Sequence, residues 1–317
     1  MDELQRSVVL VTPDLVGDVV EALTEVTGRP VKGYAGVSFG SGEDHLAAET
    51  PVVYVGPDVP ESLRLERLSW FHSTNAGVDA LLRRRSWPPE VLLTRTVGRM
   101  GERIGQYVLA WILAECQTVP VFLEQHRRTE WQRVPSELVA GQTALIYGAG
   151  RVGARVAAML SGCGIHTVGV SRTARTAVPG FDETVTTDAA DALLGGARWV
   201  VSTLPLTAET ENFFDADRFD AMRGATFINA GRGANVDLAA LAHAIDTGAV
   251  RTAVLDVLRE EPPGFDHLVW RLPRTVVTSH SAGITGPDDV TADFAVCWEA
   301  LSQGRLPELA VVPAQGY

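Results

Sequence analysis

Lysine is almost missing from this chain of 317 residues: of 27 basic side chains only Lys32 is a lysine. Positive charge is also outnumbered. With 39 acidic residues the net charge is −12, so the overall field repels nucleic acid and anionic membrane surfaces. Any anionic small ligand would need local arginines to overcome that field. Cysteine is scarce too. Cys116, Cys163 and Cys297 are far apart and odd in number, with neither a metal-ligand spacing nor a disulfide framework. They read as buried small hydrophobes in a reducing compartment, and no metal site is expected. No apolar run approaches the roughly eighteen residues of a membrane span. The first residues carry Asp2 and Glu3 where a signal peptide carries positive charge, so the expectation is a cytoplasmic protein without one. Low-complexity tracts and repeats of solenoid period are absent from the sequence.

What the chain has instead is apolar residues, 46% against 21% charged, the balance of a protein with a real core. Its length suits two domains of ordinary size, or one large one. Residues 7–11 read as a strand, and Asp14 as the cap of a helix running to about Val26. Residues 51–55, 70–74 and 91–94 read as further strands. Ile104, Tyr107, Val108, Trp111 and Ile112 then recur at helical spacing within 100–131, and Pro120 must end or kink that helix. Tyr107 and Trp111 read as packing residues on it. A second block has strands expected at 143–147, 167–170, 199–204, 226–229, 252–257 and 275–279. Helical patterns at 152–160 and 238–245 fall between them, the outline of a doubly wound nucleotide-binding domain. A last helix, about 288–301, would return the chain to the first domain. The expected class is α/β with two Rossmann-like doubly wound domains. Residues 95–284 form the dinucleotide-binding one, inserted in a flavodoxin-like substrate domain of 1–94 plus 285–317.

Gly148-Ala149-Gly150-Arg151-Val152-Gly153 follows an apolar strand and opens a helix. Gly148 permits the tight turn, Gly150 lets backbone approach a diphosphate, and Gly153 lets helix and strand pack closely. Arg151 and Val152 begin the helix whose N-terminal N–H groups and partial positive charge favour phosphate. Alone the motif is weak; between this strand and this helix it is a good signal. The next strand should end at the residue reading the adenosine ribose, where an NAD enzyme carries Asp or Glu. Here it is Ser171, followed by Arg172, Thr173 and Arg175. A carboxylate would repel a 2′-phosphate, whereas a hydroxyl and guanidinium groups would bind one, so NADP(H) is preferred with NAD(H) possible.

Three later segments place polar residues at strand ends, where open α/β sheets hold ligands. They are Asn229-Ala230-Gly231-Arg232-Gly233-Ala234-Asn235-Val236-Asp237, the run Leu255-Asp256-Val257-Leu258-Arg259-Glu260-Glu261-Pro262, and Thr278-Ser279-His280-Ser281-Ala282-Gly283. Singly each is weak, since a lone Arg is usually a surface residue and a lone His usually structural. His45, His72, His126, His166, His243 and His267 lack comparable context and read as structural or surface residues.

In order and spacing these segments resemble those of D-2-hydroxyacid dehydrogenases. The glycine motif, Leu204-Pro205-Leu206-Thr207, the Arg232 segment, the Asp256 to Glu261 run, the His280 loop and the ending at 313–317 all match. The first domain resembles the family more loosely, through Asn75-Ala76-Gly77-Val78-Asp79. The resemblance implies that Arg232 binds the carboxylate and polarised C2 oxygen of a 2-oxo acid, and that His280 is the acid/base. Glu261, rather than the adjacent Glu260, would orient His280 and keep it protonated for reduction. Backbone N–H groups around Asn75, Ala76 and Gly77 would hold the substrate carboxylate, in a cleft between domains that closes on binding. Cofactor contacts are implied at Leu204, Pro205, Ala230, Gly231, Ala282 and Gly283, with Asp256 facing the nicotinamide carboxamide.

Ser279 stands where many members have proline. The Ser171-Arg172-Thr173 run is similar to that of NADPH-dependent glyoxylate and hydroxypyruvate reductases, which makes those 2-oxo acids candidate substrates. Two alternatives remain at this level. One is a non-catalytic, dinucleotide-sensing binding protein on the same fold. The other is a formate or phosphonate dehydrogenase-like enzyme, against which Glu261 stands where formate dehydrogenases have Gln. The apolar face within 100–131, with the resemblance, implies a two-fold homodimer.

Overall fold

Valine-rich runs such as those at 8–11 and 52–56 are what strands buried on both faces of a parallel sheet require, and both form such strands. The computed structural model describes residues 4, 6–15, 17–34, 38–39, 45–46, 50–173 and 177–315. Arg175 and the last two residues of the 313–317 ending lie outside them. The chain divides into two compact units, Met1–Arg99 with Thr285–Tyr317, and Met100–Ile284.

The first unit contains β1 (Val8–Val11), β2 (Val31–Gly33), β5 (Val52–Gly56), β6 (Leu68–Ser73) and β7 (Leu92–Arg95), with β3 (Ser38–Phe39) and β4 (His45–Leu46) pairing separately. Its sheet order is β2-β1-β5-β6-β7, parallel throughout. Numbered among themselves those five strands run 2-1-3-4-5, the flavodoxin-like order. The helix Pro287–Ser302 supplies part of this unit's core. Its Phe294 stacks on Trp70 with ring centroids 4.8 Å apart and planes 7° from parallel, and Trp298 stacks alongside.

The second unit contains β8 (Thr143–Tyr147), β9 (His166–Ser171), β10 (Glu183–Thr186), β11 (Trp199–Ser202), β12 (Ala225–Asn229), β13 (Val250–Leu255) and β14 (Thr275–Val277). The order β10-β9-β8-β11-β12-β13-β14 is 3-2-1-4-5-6 with one strand added at the edge. Along the helix Met100–Cys116, Ile104, Val108, Ile112 and Cys116 recur every fourth residue and all are buried against this sheet's core. Gly101 and Gly105 face Arg155 and Met159 of the helix Arg151–Ser161, leaving room for the two helices to meet.

Several boundaries differ from the sequence reading. Asp14 does not cap the first helix. The chain turns at Thr12, whose carbonyl takes the Leu15 N–H at 3.0 Å, and the helix Asp18–Thr27 starts after Gly17. The strands β2 and β10 escaped notice because each is short, solvent-facing and polar in part. The long helix stops at Cys116. Thr118 takes a left-handed φ of 52°, Pro120 sits in the first turn of a second helix, Val119–Arg127, and residues 130–139 are irregular. Cys116 and Cys297 are buried as expected, but Cys163 is only half-buried. Among the described residues, no single helix is long and apolar enough to cross a membrane.

His72 shows why one polar residue is tolerated inside β6. It is fully buried, with Nδ1 2.7 Å from Thr94 Oγ1 and Nε2 3.0 Å from Thr96 Oγ1. Thr96 already donates to the Ser73 carbonyl. So His72 donates from Nε2 to Thr96 and accepts from Thr94 at Nδ1, while Trp70 Nε1 donates to Thr94. Burial pushes the His72 pKa down to about 3. The unfolded chain therefore binds a proton that the folded one refuses. The stability from keeping His72 neutral is present in full above pH 6.5 and is lost as the pH falls toward about 3. The loss is on the order of a few kcal/mol. Denaturant midpoints measured between pH 7 and pH 4 should fall more steeply for the wild type than for His72→Asn. Equal slopes would show that His72 does not carry this linkage.

Candidate active site

The turn after β8 is built by what a side chain would hit. A Cβ on Gly153 would lie 2.0 Å from the Gly148 carbonyl oxygen, and one on Gly148 would lie 2.6 Å from Thr203 Oγ1, with φ at 106°. Both positions therefore need glycine, so strand, turn and helix pack at backbone distance. Gly150 is different. A Cβ there meets nothing within 4 Å, and Gly150 caps the helix Arg151–Ser161 without a side-chain bond. Open space before uncapped first-turn amides fits a diphosphate. The Gly148 and Ala149 N–H groups instead hold the turn to the Val170 carbonyl, at 3.0 and 3.2 Å.

That contact puts the end of β9 beside the turn. Ser171 ends the strand, its hydroxyl donating to the Thr173 carbonyl at 2.7 Å, and Arg172 and Thr173 are exposed. Glu209 is not among the residues that the sequence motifs single out. The Thr207 hydroxyl, its own backbone amide and the positive charge of Arg172 hold the Glu209 carboxyl below the usual carboxylate range. Arg172 thus has an acidic neighbour from the segment after β11.

Arg232 follows β12 and is half-buried, with Nη1 2.8 Å from the Gly231 carbonyl. Two asparagines with no exposed surface fix its backbone. Asn229 Oδ1 accepts from Gly231 N, and its Nδ2 donates to the Arg232 carbonyl at 3.0 Å; Asn235 Oδ1 accepts from Arg232 N at 3.2 Å. Asn235 Nδ2 also reaches the carbonyls of Pro205 and Thr210, tying this loop to Leu204 and Pro205. Gly231 lies so near Leu204 that a Cβ would come within 2.7 Å of its carbonyl oxygen. Both asparagines lie in the strand-end segment the sequence marks, but their bonds to this backbone are set by the fold.

The most telling geometry lies after β13 and β14. His280 Nδ1 is 2.7 Å from Glu261 Oε2, and Glu261 Oε1 takes the Leu258 N–H at 2.8 Å. A carboxylate accepts only, so Nδ1 carries a hydrogen and Nε2 faces away from the pair. Glu260, the neighbour, is exposed. The His280 N–H donates to the Asp256 carbonyl at 2.6 Å. The buried Asp256 carboxylate accepts from the Thr278 hydroxyl and from the Ser281 and Ala282 amides. Gly283 packs against Met100 and Ile104. A cavity of 380 Å³ beside Leu258 and Arg259 is lined by none of Arg232, Glu261 and His280.

Asn75, Ala76 and Gly77 belong to the other unit. There Asn75 N–H donates to Ser73 Oγ, Asn75 Nδ2 to the Pro57 carbonyl, and Arg95 Nη1 to the Ala76 carbonyl at 3.1 Å. His126 and His243 are exposed, His166 pairs with Glu183, and His267 caps a short helical turn.

Comparison with known proteins gives the family. Residues 109–282 match the sequence model of the D-isomer specific 2-hydroxyacid dehydrogenase NAD binding domain. A Streptomyces coelicolor protein, described as an uncharacterized protein in the mprR 3′ region, is 54% identical across 87% of this chain and 100% of its own. Glyoxylate/hydroxypyruvate reductase A of Salmonella paratyphi B is 29% identical over 86% of this chain and 89% of its own. Among solved structures, a D-isomer specific 2-hydroxyacid dehydrogenase of Xanthobacter autotrophicus Py2, in complex with NADPH and MES, superposes with a TM-score of 0.85. It is 28% identical and covers 98% of this chain and 100% of that one. An NADPH-dependent glyoxylate/hydroxypyruvate reductase of Sinorhizobium meliloti, in complex with NADP and sulfate, gives a TM-score of 0.80 at 29% identity, covering 98% and 100%. The chain is an enzyme and belongs to the D-isomer specific 2-hydroxyacid dehydrogenase family.

Proposed function

We propose that this enzyme uses NADPH to reduce a small 2-oxo acid of the glyoxylate or hydroxypyruvate kind to its 2-hydroxy acid. The observation that carries the reading is the 2.7 Å bond between His280 Nδ1 and Glu261 Oε2. It fixes the imidazole so that Nε2 is the nitrogen that presents a proton. When bound, NADPH supplies the hydride for C2. Arg232 offers a planar fork for the substrate carboxylate and the C2 oxygen. His280 gives that oxygen its proton, and Glu261 balances the imidazolium charge.

For the cofactor, Gly148, Gly150, Arg151, Val152 and Gly153 would hold the diphosphate. Leu204, Pro205, Ala230 and Gly231 would flank it, and Asp256, Ala282 and Gly283 would face the nicotinamide. Ser171, Arg172 and Thr173 would take the 2′-phosphate. Support comes from the hydroxyl at Ser171, where an acid would repel that phosphate, and from the NADPH and NADP held by the two similar structures. Three free cysteines suit a reducing cytoplasm. A homodimer is supported by exposed apolar residues at 113–138: Leu123 is 56% exposed, Leu138 81% and Trp131 97%. Light scattering at micromolar concentration should return twice the monomer mass; a monomer mass would refute the dimer.

A panel of 2-oxo acids with NADPH should show turnover with glyoxylate or hydroxypyruvate. His280→Asn should lower kcat by roughly two to four orders of magnitude, the usual worth of a positioned acid. Arg232→Ala should raise KM and lower kcat together. Turnover that survives His280→Asn would remove the proposed acid.

Cofactor preference is tested separately. Charge-assisted hydrogen bonds to a 2′-phosphate contribute about 1.5–3 kcal/mol each, enough for roughly ten- to hundredfold discrimination. Ser171→Asp with Arg172→Ala should therefore move the kcat/KM preference toward NADH, adding repulsion as well as removing attraction. A wild-type enzyme that already prefers NADH would refute the assignment at this strand end.

A further inference from the structure

Tyr107 packs on the helix Met100–Cys116 as its spacing predicts, edge-on to Trp111 with ring centroids 6.3 Å apart. Its hydroxyl has a second task. It lies 2.8 Å from Thr278 Oγ1, whose single hydrogen goes to Asp256 Oδ1 at 2.5 Å. A hydroxyl has one hydrogen to give, so Tyr107 must be the donor and Thr278 passes the bond on. Burial raises the Tyr107 phenol well above its ordinary value, so it keeps the hydrogen it donates. The receiving carboxylate also binds the Ser281 and Ala282 amides, and the carbonyl of the same residue binds His280 N–H. Between these anchors Ser279 and His280 both sit at a φ of 55°, a left-handed conformation that the surrounding bonds must impose.

We infer that Tyr107 and Thr278 are positioning residues for His280, acting through Asp256 to fix the Ser279 and His280 turn and so the direction of His280 Nε2. The inference rests on the reading of His280 as the proton donor. Neither hydroxyl needs to touch substrate. Removing the Thr278 hydroxyl takes one donor from Asp256 and leaves the Tyr107 hydroxyl without its acceptor, and the catalytic turn loses its anchor on that side. A purely structural contact would lower the melting temperature and leave the turnover of folded enzyme alone.

The test uses the full chain, with glyoxylate and hydroxypyruvate as substrates at saturating NADPH. A misplacement of about 1 Å costs on the order of a hundredfold, so Thr278→Val should lower kcat roughly ten- to hundredfold while KM moves little. Thr278→Ser, which keeps the hydroxyl, should restore most of that turnover. Tyr107→Phe should lower kcat by a smaller factor, and that factor should vanish in the Thr278→Val background, since both act along one chain. A second readout needs no turnover. In cofactor-free protein with ¹⁵N-labelled histidine, the His280 ring signals, identified by their loss in His280→Asn, should move in Thr278→Val and return in Thr278→Ser. Wild-type kcat in Thr278→Val, a Thr278→Ser as impaired as the valine variant, or a Tyr107→Phe effect that persists unchanged beside Thr278→Val would each overturn the inference. Should Thr278→Val fail to fold, Tyr107→Phe decides: a lower kcat with an unmoved KM supports the chain, and wild-type kcat overturns it. His280→Asn separates the two levels. If that variant still turns over, the reading of the site fails; if it does not and the hydroxyl variants match wild type, only this inference fails.

Discussion

Asp256 follows β13 with 3% of its surface exposed, and a carboxylate so placed persists only where donors surround it. It finds three: the Thr278 hydroxyl and the amides of Ser281 and Ala282. Its own carbonyl takes the amide of His280. The segment after β14 is thereby wrapped around one side chain. The wrapping holds two consecutive non-glycine residues, Ser279 and His280, in the left-handed region, at a cost of about 1–2 kcal/mol per residue. No local preference of Ser or His would choose that conformation. The histidine can face Glu261 because the buried acid leaves the turn no cheaper arrangement.

The parallel sheet explains why these groups meet. In a sheet with one strand direction all carboxyl ends lie along one edge, and the order reverses where β9 and β11 flank β8 on opposite sides. The glycine turn leaves β8 and Thr203 leaves β11, and the two are in contact: Thr203 Oγ1 lies within hydrogen-bond distance of the carbonyls of both Tyr147, at 3.1 Å, and Gly148, at 3.2 Å. Arg232 follows β12, Asp256 follows β13, and Thr278 and His280 follow β14. Each successive strand adds one functional segment at the same edge. Hydrogen bonds then tie neighbouring segments together: Asn235 to Pro205, Arg259 to Glu211 and the Ala234 carbonyl, Asp256 to Ala282.

How much of this was legible depended on the range of the causing interaction. Glycine positions and the apolar strand runs are written locally, so they could be read, whereas Arg232, Glu261 and His280 stand out only through the order of their segments and the family resemblance. The short polar strands β2 and β10 could not be read. A sheet edge is defined by its neighbour, and nothing in the three residues Val31–Gly33 announces one. An aromatic at helical spacing usually packs, and Tyr107 does; the partner of its hydroxyl, Thr278, lies 171 positions away in sequence. Asn229 and Asn235 fall in a segment that the sequence marks as polar at a strand end, but their role is not written there, since a buried asparagine and a surface one look alike until the groups they bind are known. Asp14 misled in the opposite direction. A residue with capping chemistry stood before an apolar-periodic stretch, but the turn at Thr12 placed the true helix start after Gly17.

The charge balance sets one last constraint. A chain of net charge −12 that is to bind a dinucleotide phosphate and a carboxylate must keep its own acids from repelling them. Here the acids nearest the proposed chemistry are occupied. Asp256 is spent on backbone amides and a hydroxyl, and Glu261 on His280 and Leu258 N–H. Glu209 is held as well, by the Thr207 hydroxyl at 2.8 Å. It is nevertheless exposed, its carboxyl is held low by that hydroxyl, its own amide and then the charge of Arg172, and it adds a negative charge near the guanidinium proposed to meet the 2′-phosphate. In water that attraction is weak and screened, so Arg172 can exchange Glu209 for a better anion. A phosphate is that better partner, because it carries more charge and presents several oxygens to one planar fork. The acid lowers the net positive charge around Arg172, and arginine, which supplies every basic side chain but Lys32, brings a planar fork that two phosphate oxygens can fill.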